Sequence, residues 1–526
     1  GFCDSAEKGR ETLPAVVPPA EQVFSQIMQL FETGGAQQAG NSTRAGLVRN
    51  LCMLFEAADC QWLFGSGCPK VLGDVVVALS DYAALAKQEA DTGDPRSDAA
   101  YAAAADRTAD VSLLFLSLLA KVEASKDAEN LGIGAVRPFL GLVAGPIYIF
   151  AVTHGAEGPW SHPRTRSRAW ELLNTLLQTV GCQSAAEFLR GQREEEEGWF
   201  AKVMQLLKPE LKKETWKLSP ATKYVFAWTL QQVTWPWLGP QLESVLPPSL
   251  LISDDYRVEN KILGVQCLNH IILNVPAAEL CQFNWAQVVY HALYNHLHTR
   301  EAQLIQVVLP CLLDLLPVLE RSPLQQRRKP RPPTPCDKVL QLVLTHMEAE
   351  HLLLLRRAYA RNLPAFVERL GIRITRHLKR LERVIVGYLE VYDGPEETAR
   401  LGILETLKCT IQHAWPRMAC RLAVLLQALL RMVWDVAVDR SPTPEPVKAA
   451  LLQGATECLI LLDRCSEGQV KETLKAVLHP PLLPSSQYQS QSRSPHPADL
   501  EPCRRREWGS YRCLHTANKK QSRAFL

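Results

Sequence analysis

Three histidines close together are the densest group of possible metal ligands in the sequence. His291, His296 and His298 lie within VVYHALYNHLHTR. Their spacings of five and two residues do not place them on one face of a helix, as the i, i+4 spacing of a zinc-binding pair would. The sequence therefore predicts no metal site, and no other pattern in it indicates a cofactor.

Motifs for catalysis are also lacking. Gly132 and Gly134 form a G-x-G, but no third glycine, preceding strand or lysine-serine pair completes a phosphate-binding loop. No G-x-S-x-G nucleophile elbow occurs. We therefore predict that the protein is not an enzyme, and a hydrolase of unknown type is only a distant alternative.

Two basic clusters raise the question of nucleic-acid binding. Arg327, Arg328, Lys329 and Arg331 lie in one cluster, and residues 504–506 are three consecutive arginines. Neither cluster has interleaved aromatic residues, and the net charge of the chain is only +3, so neither resembles a nucleic-acid interface. We interpret both as solvated segments or nuclear-import signals and expect no nucleic-acid partner.

The composition is that of a helical protein with no membrane partner. Hydrophobic residues make up 47% of the 526 residues. The most membrane-like run, Ala135–Val152, contains Arg137, Pro138 and Pro146 and is barely long enough to span a bilayer. It is therefore predicted to be a buried helix.

The cysteines indicate a reducing compartment. None of the fifteen forms a C-x-x-C pair, and Cys267, Cys311 and Cys458 lie among apolar residues with helical spacing. The first residues lack a basic region followed by an apolar core, so no secretory signal is expected. The predicted location is cytoplasmic and nuclear.

The stretch ISDDYRVENKILGVQCLNHIILNVPAAEL contains the clearest helix. Ser253 followed by Asp254 predicts an N-cap with acidic residues in the first turn, so the helix should start near Asp254. Apolar residues then recur at steps of three and four until Pro276, which should end the helix. They are Val258, Ile262, Val265, Leu268, Ile272 and Val275.

Neighbouring segments repeat this design. Arg257 and Arg300 hold equivalent positions 43 residues apart, and Arg400 and Lys448 are 48 residues apart. Both offsets lie at or just beyond the length of a HEAT or armadillo repeat. The fold class predicted is all-α, an irregular HEAT/armadillo-like solenoid of helical hairpins.

Composition divides this solenoid into segments. Proline-rich and polar stretches predict disorder, whereas the apolar periodic stretches predict repeats. The predicted segments are a disordered lead-in at 1–20, an N-terminal solenoid at 21–321 with a flexible insertion at 87–110, a Pro/Arg-rich linker at 322–336, a C-terminal solenoid at 337–478, and a disordered tail at 479–526. Residues 217–238 are predicted to form one tryptophan-rich helix, with Trp228, Trp235 and Trp237 packed between repeats.

Stacked repeats present long surfaces to partners, and two surfaces are candidates here. The first is the polar side and acidic start of the central helix, comprising Asp254, Asp255, Glu259, Gln266, His270 and Asn274. The second is a basic group, Arg376, Lys379 and Arg380, which could meet an acidic partner. For each residue, ordinary solvation or helix capping is an equally good interpretation.

Several long strings resemble one family of scaffold proteins. Besides the central stretch, they include LVAGPIYIFAVTH, TLQQVTWPWL and RHLKRLERVIVGYLEVYDGPEE. Together they resemble the vertebrate Tel-two-interacting protein two family, from about residue 20 to about residue 470. The members of this family are the smallest subunits of the Triple T complex.

This resemblance implies a scaffold without a cofactor. It would join the Tel-two protein and Tel-two-interacting protein one. Through the complex it would act with the ninety-kilodalton heat-shock chaperone and the R-two-T-P cochaperone. The complex stabilises phosphatidylinositol-3-kinase-related kinases of the mTOR, ATM, ATR and DNA-PK type, contacted indirectly, and supports growth signalling and the DNA damage response. A helical-repeat transport adaptor is the alternative function.

Overall fold

A computed structural model describes most of the chain, and every regular element in the described part is a helix. The described residues are 18–33, 40–64, 69–84, 98–126, 132–158, 160–191, 198–320, 333–438 and 443–478. By its internal contacts the chain divides into two compact units, residues 1–467 and 468–526. The all-α class predicted from the sequence is confirmed.

Twelve α-helices lie in the described N-terminal residues of the first unit. They are α1 (Ala20–Thr33), α2 (Gly40–Ala57), α3 (Cys60–Phe64), α4 (Pro69–Ala83), α5 (Asp98–Lys126), α6 (Gly132–Gly155), α7 (Pro163–Val180), α8 (Ala185–Arg190), α9 (Phe200–Leu207), α10 (Thr222–Gln231), α11 (Leu242–Ser253) and α12 (Val258–Asn274).

The remaining α-helices follow at similar intervals. They are α13 (Ala277–Gln282), α14 (Trp285–His296), α15 (Ala302–Glu320), α16 (Pro335–Ala349), α17 (Leu353–Leu370), α18 (Leu378–Leu389), α19 (Thr398–Ala414), α20 (Leu422–Val438) and α21 (Glu445–Cys465). The second unit contributes α22 (Gln469–Leu478) to the described part of the chain.

The helices of the first unit form two layers, as a solenoid of helical hairpins requires. In the first layer each helix packs against the next along the whole unit, in the order α1, α4, α6, α10, α12, α15, α17, α19 and α21. The second layer includes α2, α5 and α7 at one end and α16, α18 and α20 at the other, again packed in sequence. The intervening α11 and α14 also touch.

Two glycines let first-layer helices approach their neighbours closely. A side chain at Gly264 of α12 would collide with the backbone of Ser253 at the end of α11. A side chain at Gly402 of α19 would likewise collide with the carbonyl of Ala360 in α17. Only a residue without a Cβ atom fits at such contacts.

The predicted start of the central helix was wrong, and its end was right. Ser253 is the last residue of α11, where its hydroxyl donates to the carbonyl of Leu250 at 2.9 Å. The next helix, α12, starts only at Val258 and ends at Asn274, just before Pro276. The start was misplaced because Asp255 is held in a loop by side-chain bonds that the local sequence does not reveal.

The predicted repeat register marks adjacent helices. Arg257 and Arg300 both lie just before first-layer helices, α12 and α15, which pack together. Arg400 and Lys448 lie near the starts of α19 and α21, which also pack together. The offsets read from the sequence therefore correspond to neighbouring repeats.

Other predicted segments fall partly outside the described residues. Residues 98–110 of the insertion form the first part of α5. The lead-in up to residue 17, residues 322–332 of the predicted linker and the tail from 479 lie outside the described residues. The linker was predicted to extend to residue 336, but Thr334 caps α16 and the helix already begins at Pro335. The tryptophan-rich helix is shorter than predicted. It ends at Gln231, so Trp235 and Trp237 lie in the following turn.

Two first-layer helices are long and apolar enough to span a bilayer by composition alone. They are Val136–Gly155 within α6 and Ala302–Glu320, which is α15. At least half of each is buried among neighbouring helices, which is the usual condition of a core helix.

Basic side chains connect successive repeats at the starts of first-layer helices. Before α12, Lys217 Nζ lies 2.8 Å from Asp255 Oδ1, and before α17, Arg300 lies 3.1 Å from Glu350. Before α19, Arg357 lies 2.7 Å from Asp393. In all three pairs the acidic residue is buried, and the basic residue comes from the preceding first-layer repeat.

Removing the carboxylate of the third pair should destabilise the fold strongly. Asp393→Ala removes the carboxylate that accepts from Arg357 Nε and from the backbone N–H of Ala399, so the arginine loses its buried partner and the backbone N–H loses its acceptor. We expect the free energy of unfolding to fall by about 3 kcal/mol, measured by urea titration followed by circular dichroism.

The matched control is Glu396→Ala, because Glu396 pairs with the same arginine but is 61% exposed. It should cost less than about 1 kcal/mol. Equal losses in the two variants would contradict a structural role for the buried pair.

Candidate interaction surfaces

The polar side of α12 is only partly free to meet a partner. Glu259 and Gln266 are exposed. His270 and Asn274 are half-buried: His270 Nε2 lies 2.8 Å from the carbonyl of Val233, and the Asn274 amide donates to the carbonyl of His270 at 2.9 Å. His270 therefore joins α12 to the turn that follows α10, and Asn274 bonds His270 within α12.

The two acidic residues at the start of this surface also differ in their exposure. Asp254 is exposed, whereas Asp255 is buried and accepts a hydrogen bond from the Asn260 amide at 2.6 Å in addition to its ion pair with Lys217. Burial alone would raise the pKa of Asp255, but the hydrogen bonds from Lys217 and Asn260 outweigh it and lower the pKa. Asp255 therefore stabilises the repeat junction and is not part of an exposed surface.

Glu350 has the same role two repeats later. One of its carboxylate oxygens accepts from the backbone N–H groups of His351 and Leu352, both at 2.9 Å, and from Arg300. Burial acts to raise the pKa of Glu350, but these bonds lower it overall. The carboxylate thus satisfies N–H groups at the start of α17 that have no partner within the helix.

The basic group lies at the start of α18: Arg376 is in the turn before this helix, and Lys379 and Arg380 are in its first turn. Its three residues differ in what they contact: Arg376 lies 3.9 Å from buried Asp337, Arg380 bonds Glu348 at 3.2 Å, and exposed Lys379 forms no ion pair with another described residue. Arg383, one turn along α18, is also exposed without such a partner. The charge available to an acidic partner is therefore carried mainly by Lys379 and Arg383.

Other arginines of this region act inside the fold. The Arg356 guanidinium is buried, lies 3.7 Å from the ring centre of Tyr388, and donates to the carbonyl of Gly387 at 3.2 Å. Arg369 bonds Glu320 across α15 and α17 at 2.7 Å. The sequence alone could not separate these structural arginines from the exposed ones.

The tryptophans near α10 do not share one role. Trp228 is half-buried against Trp170, with ring centres 5.6 Å apart, and packs between helices as predicted. The prediction was wrong for Trp235, which is 64% exposed, and for Trp237, which is partly exposed with the Arg190 guanidinium 5.0 Å from its ring. Both lie on the turn after α10, beyond the end of the buried helix face.

An aromatic pocket of about 590 Å³ lies beside Trp228. Trp170, Tyr224 and Leu263 also line it, and Arg166 and Glu157 form an ion pair at 2.9 Å on its border. The titratable side chains among its described lining residues are Tyr224 and the paired Arg166 and Glu157.

The described residues do not gather into a metal site. His296 is buried whereas His291 and His298 are exposed, and no three His, Cys, Asp or Glu side chains in the described part lie close enough together to hold a metal ion. Burial raises the pKa of the Cys267 thiol to about 12, which keeps it protonated.

The fold and these surfaces define the class of protein as an α-helical repeat protein. Comparison with known sequences narrows this class to one family. The chain is 56% identical to human TELO2-interacting protein 2 over 462 residues, which cover 87% of this chain and 89% of the human protein. It is 52% identical to the rat protein of the same name, over 90% of this chain and 93% of that one.

A sequence model of the Tti2 family matches residues 190–391, which include α12 and the turn between α17 and α18. The chain belongs to the Tti2 family.

Solved structures with similar backbones are more distant. Kap95p, in a structure with RanGDP, aligns with a TM-score of 0.43 and 14% identity over 87% of this chain and 58% of that one. Importin beta aligns with a TM-score of 0.40 and 12% identity, over 88% and 62% of the two chains. At these scores the similarity supports no statement about this chain.

The buried carboxylates predict how stability depends on pH. Asp255 and Glu350 have lower pKa values in the folded protein than the ordinary values near 4 of an unfolded chain. Near pH 4 the unfolded state therefore binds more protons, so the free energy of unfolding should fall as the pH drops below about 5.

Asp255→Asn should make this decline shallower and should cost about 1–2 kcal/mol at pH 7. Urea titrations at pH 7, 5 and 4 measure both effects, with Gln266→Ala as the control because Gln266 is exposed and does not titrate. An unchanged slope in Asp255→Asn would contradict this explanation.

Charge reversals in the basic group should have unequal effects on stability. Arg376→Glu puts a carboxylate beside buried Asp337 and should lower the free energy of unfolding by about 1–2 kcal/mol. Lys379→Glu and Arg383→Glu change exposed residues that form no ion pair with the described part of the chain, so the melting temperature should stay within the error of the wild type. Thermal melts followed by circular dichroism distinguish the two kinds of position, and equal melting temperatures would count against the Arg376–Asp337 contact.

Proposed function

We propose that this chain is a non-enzymatic scaffold subunit of the Triple T complex, which stabilises and helps to mature phosphatidylinositol-3-kinase-related kinases. Its family membership supports this proposal most directly, because relatives at 52–56% identity are named for interaction with TELO2. The direct partners would be the Tel-two protein and Tel-two-interacting protein one. The chaperone, the R-two-T-P cochaperone and the kinases would be reached through the complex, in the cytoplasm and the nucleus.

The structure is compatible with a scaffold. Its first layer of packed helices runs through the first unit and carries exposed polar positions such as Glu259 and Gln266. A partner that binds only the folded chain shifts the equilibrium away from the unfolded state by mass action. The same rule applies to each subunit, so assembly would stabilise all of them together without a chemical step.

Within the proposed scaffold, the exposed members of the two surfaces are the candidates for partner contact. They are Asp254, Glu259 and Gln266 on the first surface, and Arg376 and Lys379 on the second, beside which Arg383 is also exposed. His270 is half-buried and would support the first surface by fixing α12 against the preceding turn, and half-buried Asn274 bonds His270.

Affinity purification of the tagged full-length chain tests this function. We expect the Tel-two protein and Tel-two-interacting protein one at near-equal amounts and a smaller amount of kinase, measured by quantitative mass spectrometry. Depletion of the chain should lower kinase abundance at unchanged messenger RNA, and re-expression should restore it. Recovery of importins with cargo, or of the chain alone, would overturn the proposal.

Surface variants refine the same experiment. Glu259→Arg with Gln266→Arg tests the first surface, and Lys379→Glu with Arg383→Glu tests the second. Loss of one partner by one pair of substitutions, at unchanged melting temperature, assigns that surface to that partner. Full recovery of both partners with both pairs would remove these surfaces as contact sites.

A further inference from the structure

Exposed basic residues lie near the starts of three successive second-layer helices, α16, α18 and α20. We call this group the basic end; its members are Lys338, Arg376, Lys379, Arg383 and Arg417. Arg376 and Lys379 belong to the second candidate surface, and Lys338 and Arg417 lie on the helix starts to either side of it. Exposed positive charge therefore continues across three repeats.

Contacts place the starts of α16 and α18 side by side. The buried Asp337 carboxylate, in the first turn of α16, lies 2.8 Å from His377 and 3.9 Å from Arg376. Lys338 directly follows Asp337 in the chain and is exposed. The Lys338 ammonium group is therefore held on the helix start that packs beside Arg376.

The starts of α18 and α20 are joined in a similar way. Arg421, just before α20, donates to the Glu382 carboxylate of α18 at 2.9 Å. Lys379 lies one turn before Glu382, and Arg417 lies in the short turn that leads to Arg421. Because packed helix axes are about 8–10 Å apart, the basic end spans roughly 16–20 Å from α16 to α20.

Carboxylates of the described chain leave most of the basic end unneutralised. The two acidic residues in these helix starts, Asp337 and Glu382, already accept from a histidine or an arginine. Exposed Glu368 is at the end of the first-layer helix α17, where it accepts from the Cys409 thiol at 3.6 Å. Four members form no ion pair with a described residue; they are Lys338, Lys379, Arg383 and Arg417.

The connection from α15 to α16 supplies no carboxylate either. Residues 321–332 lie outside the described structure, and their sequence contains five basic and no acidic side chains. A group of exposed bases without neutralising carboxylates attracts an anionic partner and speeds its association.

Two large apolar side chains are exposed at the same helix starts. Ile372 is 70% exposed and Trp415 is 61% exposed. They lie in the turns that contain Arg376 and Arg417, respectively. A phosphate backbone has no group that packs on isoleucine, whereas a protein segment can carry apolar side chains beside its carboxylates. Tryptophan and arginine also contribute more than other residues to protein–protein affinity, so the basic end favours a protein partner.

We propose that the basic end binds an acidic segment of a partner protein, in which aspartate or glutamate flanks at least one apolar residue. The carboxylates would pair with the exposed lysines and arginines, and the apolar residue would pack on Trp415 and Ile372. An extended segment needs about six residues to reach from α16 to α20. This inference assigns a kind of partner to the second candidate surface and holds for any complex that the chain joins.

Fluorescence anisotropy with the purified full-length chain tests the proposal. The probe is a labelled peptide of about twelve residues, long enough to cross all three helix starts, in which two glutamates and one leucine repeat. We expect saturable binding that weakens as salt is raised. Lys338→Glu/Arg417→Glu should weaken binding about tenfold, because it reverses the charges at both sides of the surface.

Matched variants separate this surface from the overall charge of the chain. Arg361→Glu/Arg464→Glu makes the same change in net charge at exposed residues of the first-layer helices α17 and α21, and should bind like the wild type. Trp415→Ala should weaken binding without changing its salt dependence, because it removes an apolar contact only. Circular dichroism melts should show that all these variants remain folded.

Three results would overturn the proposal. They are unchanged affinity in Lys338→Glu/Arg417→Glu, equal losses in the two double variants, and tighter binding of a single-stranded oligonucleotide than of the peptide, which would assign the surface to nucleic acid. The experiment contains only the chain and its probe. Its outcome is therefore independent of which subunits the affinity purification recovers.

Discussion

The repeat stack depends on carboxylates buried at the starts of its first-layer helices. A helix start leaves backbone N–H groups without partners inside the helix, and burial against the preceding repeat removes the water that could satisfy them. Glu350 and Asp393 accept from these groups, and each also accepts from an arginine of the preceding repeat. One carboxylate therefore both caps a helix and fixes its position relative to its neighbour.

This arrangement determines which charges remain for partners. An arginine that neutralises a buried acidic residue cannot be released without leaving an uncompensated charge, so Arg357 belongs to the fold. Lys379 and Arg383 neutralise no buried acidic residue in the described part of the chain, so their charges are available to a partner. In a solenoid whose surface is rich in charge, the interaction surface consists of the charged side chains that do not form ion pairs at the repeat junctions.

The sequence predicted the architecture well because the apolar periodicity of each helix lies within a short stretch of chain. Arg257 and Arg300 marked adjacent repeats, and Pro276 marked the end of α12. The burial of Asp255 was missed because its partner Lys217 lies in the preceding repeat, at a distance in sequence that no local rule covers. The exposed Trp235 was missed because tryptophan usually packs, and only the end of α10 at Gln231 places it on a turn.

The contact between α15 and α17 has a consequence for the covalent continuity of the chain. These helices pack directly, and Arg369 bonds Glu320 across them at 2.7 Å. The two sides of residues 321–332 are therefore joined by a noncovalent interface as well as by the peptide backbone. Two separately expressed polypeptides divided within this segment have the contacts to reassemble, which makes the position a natural one for a split-protein reporter.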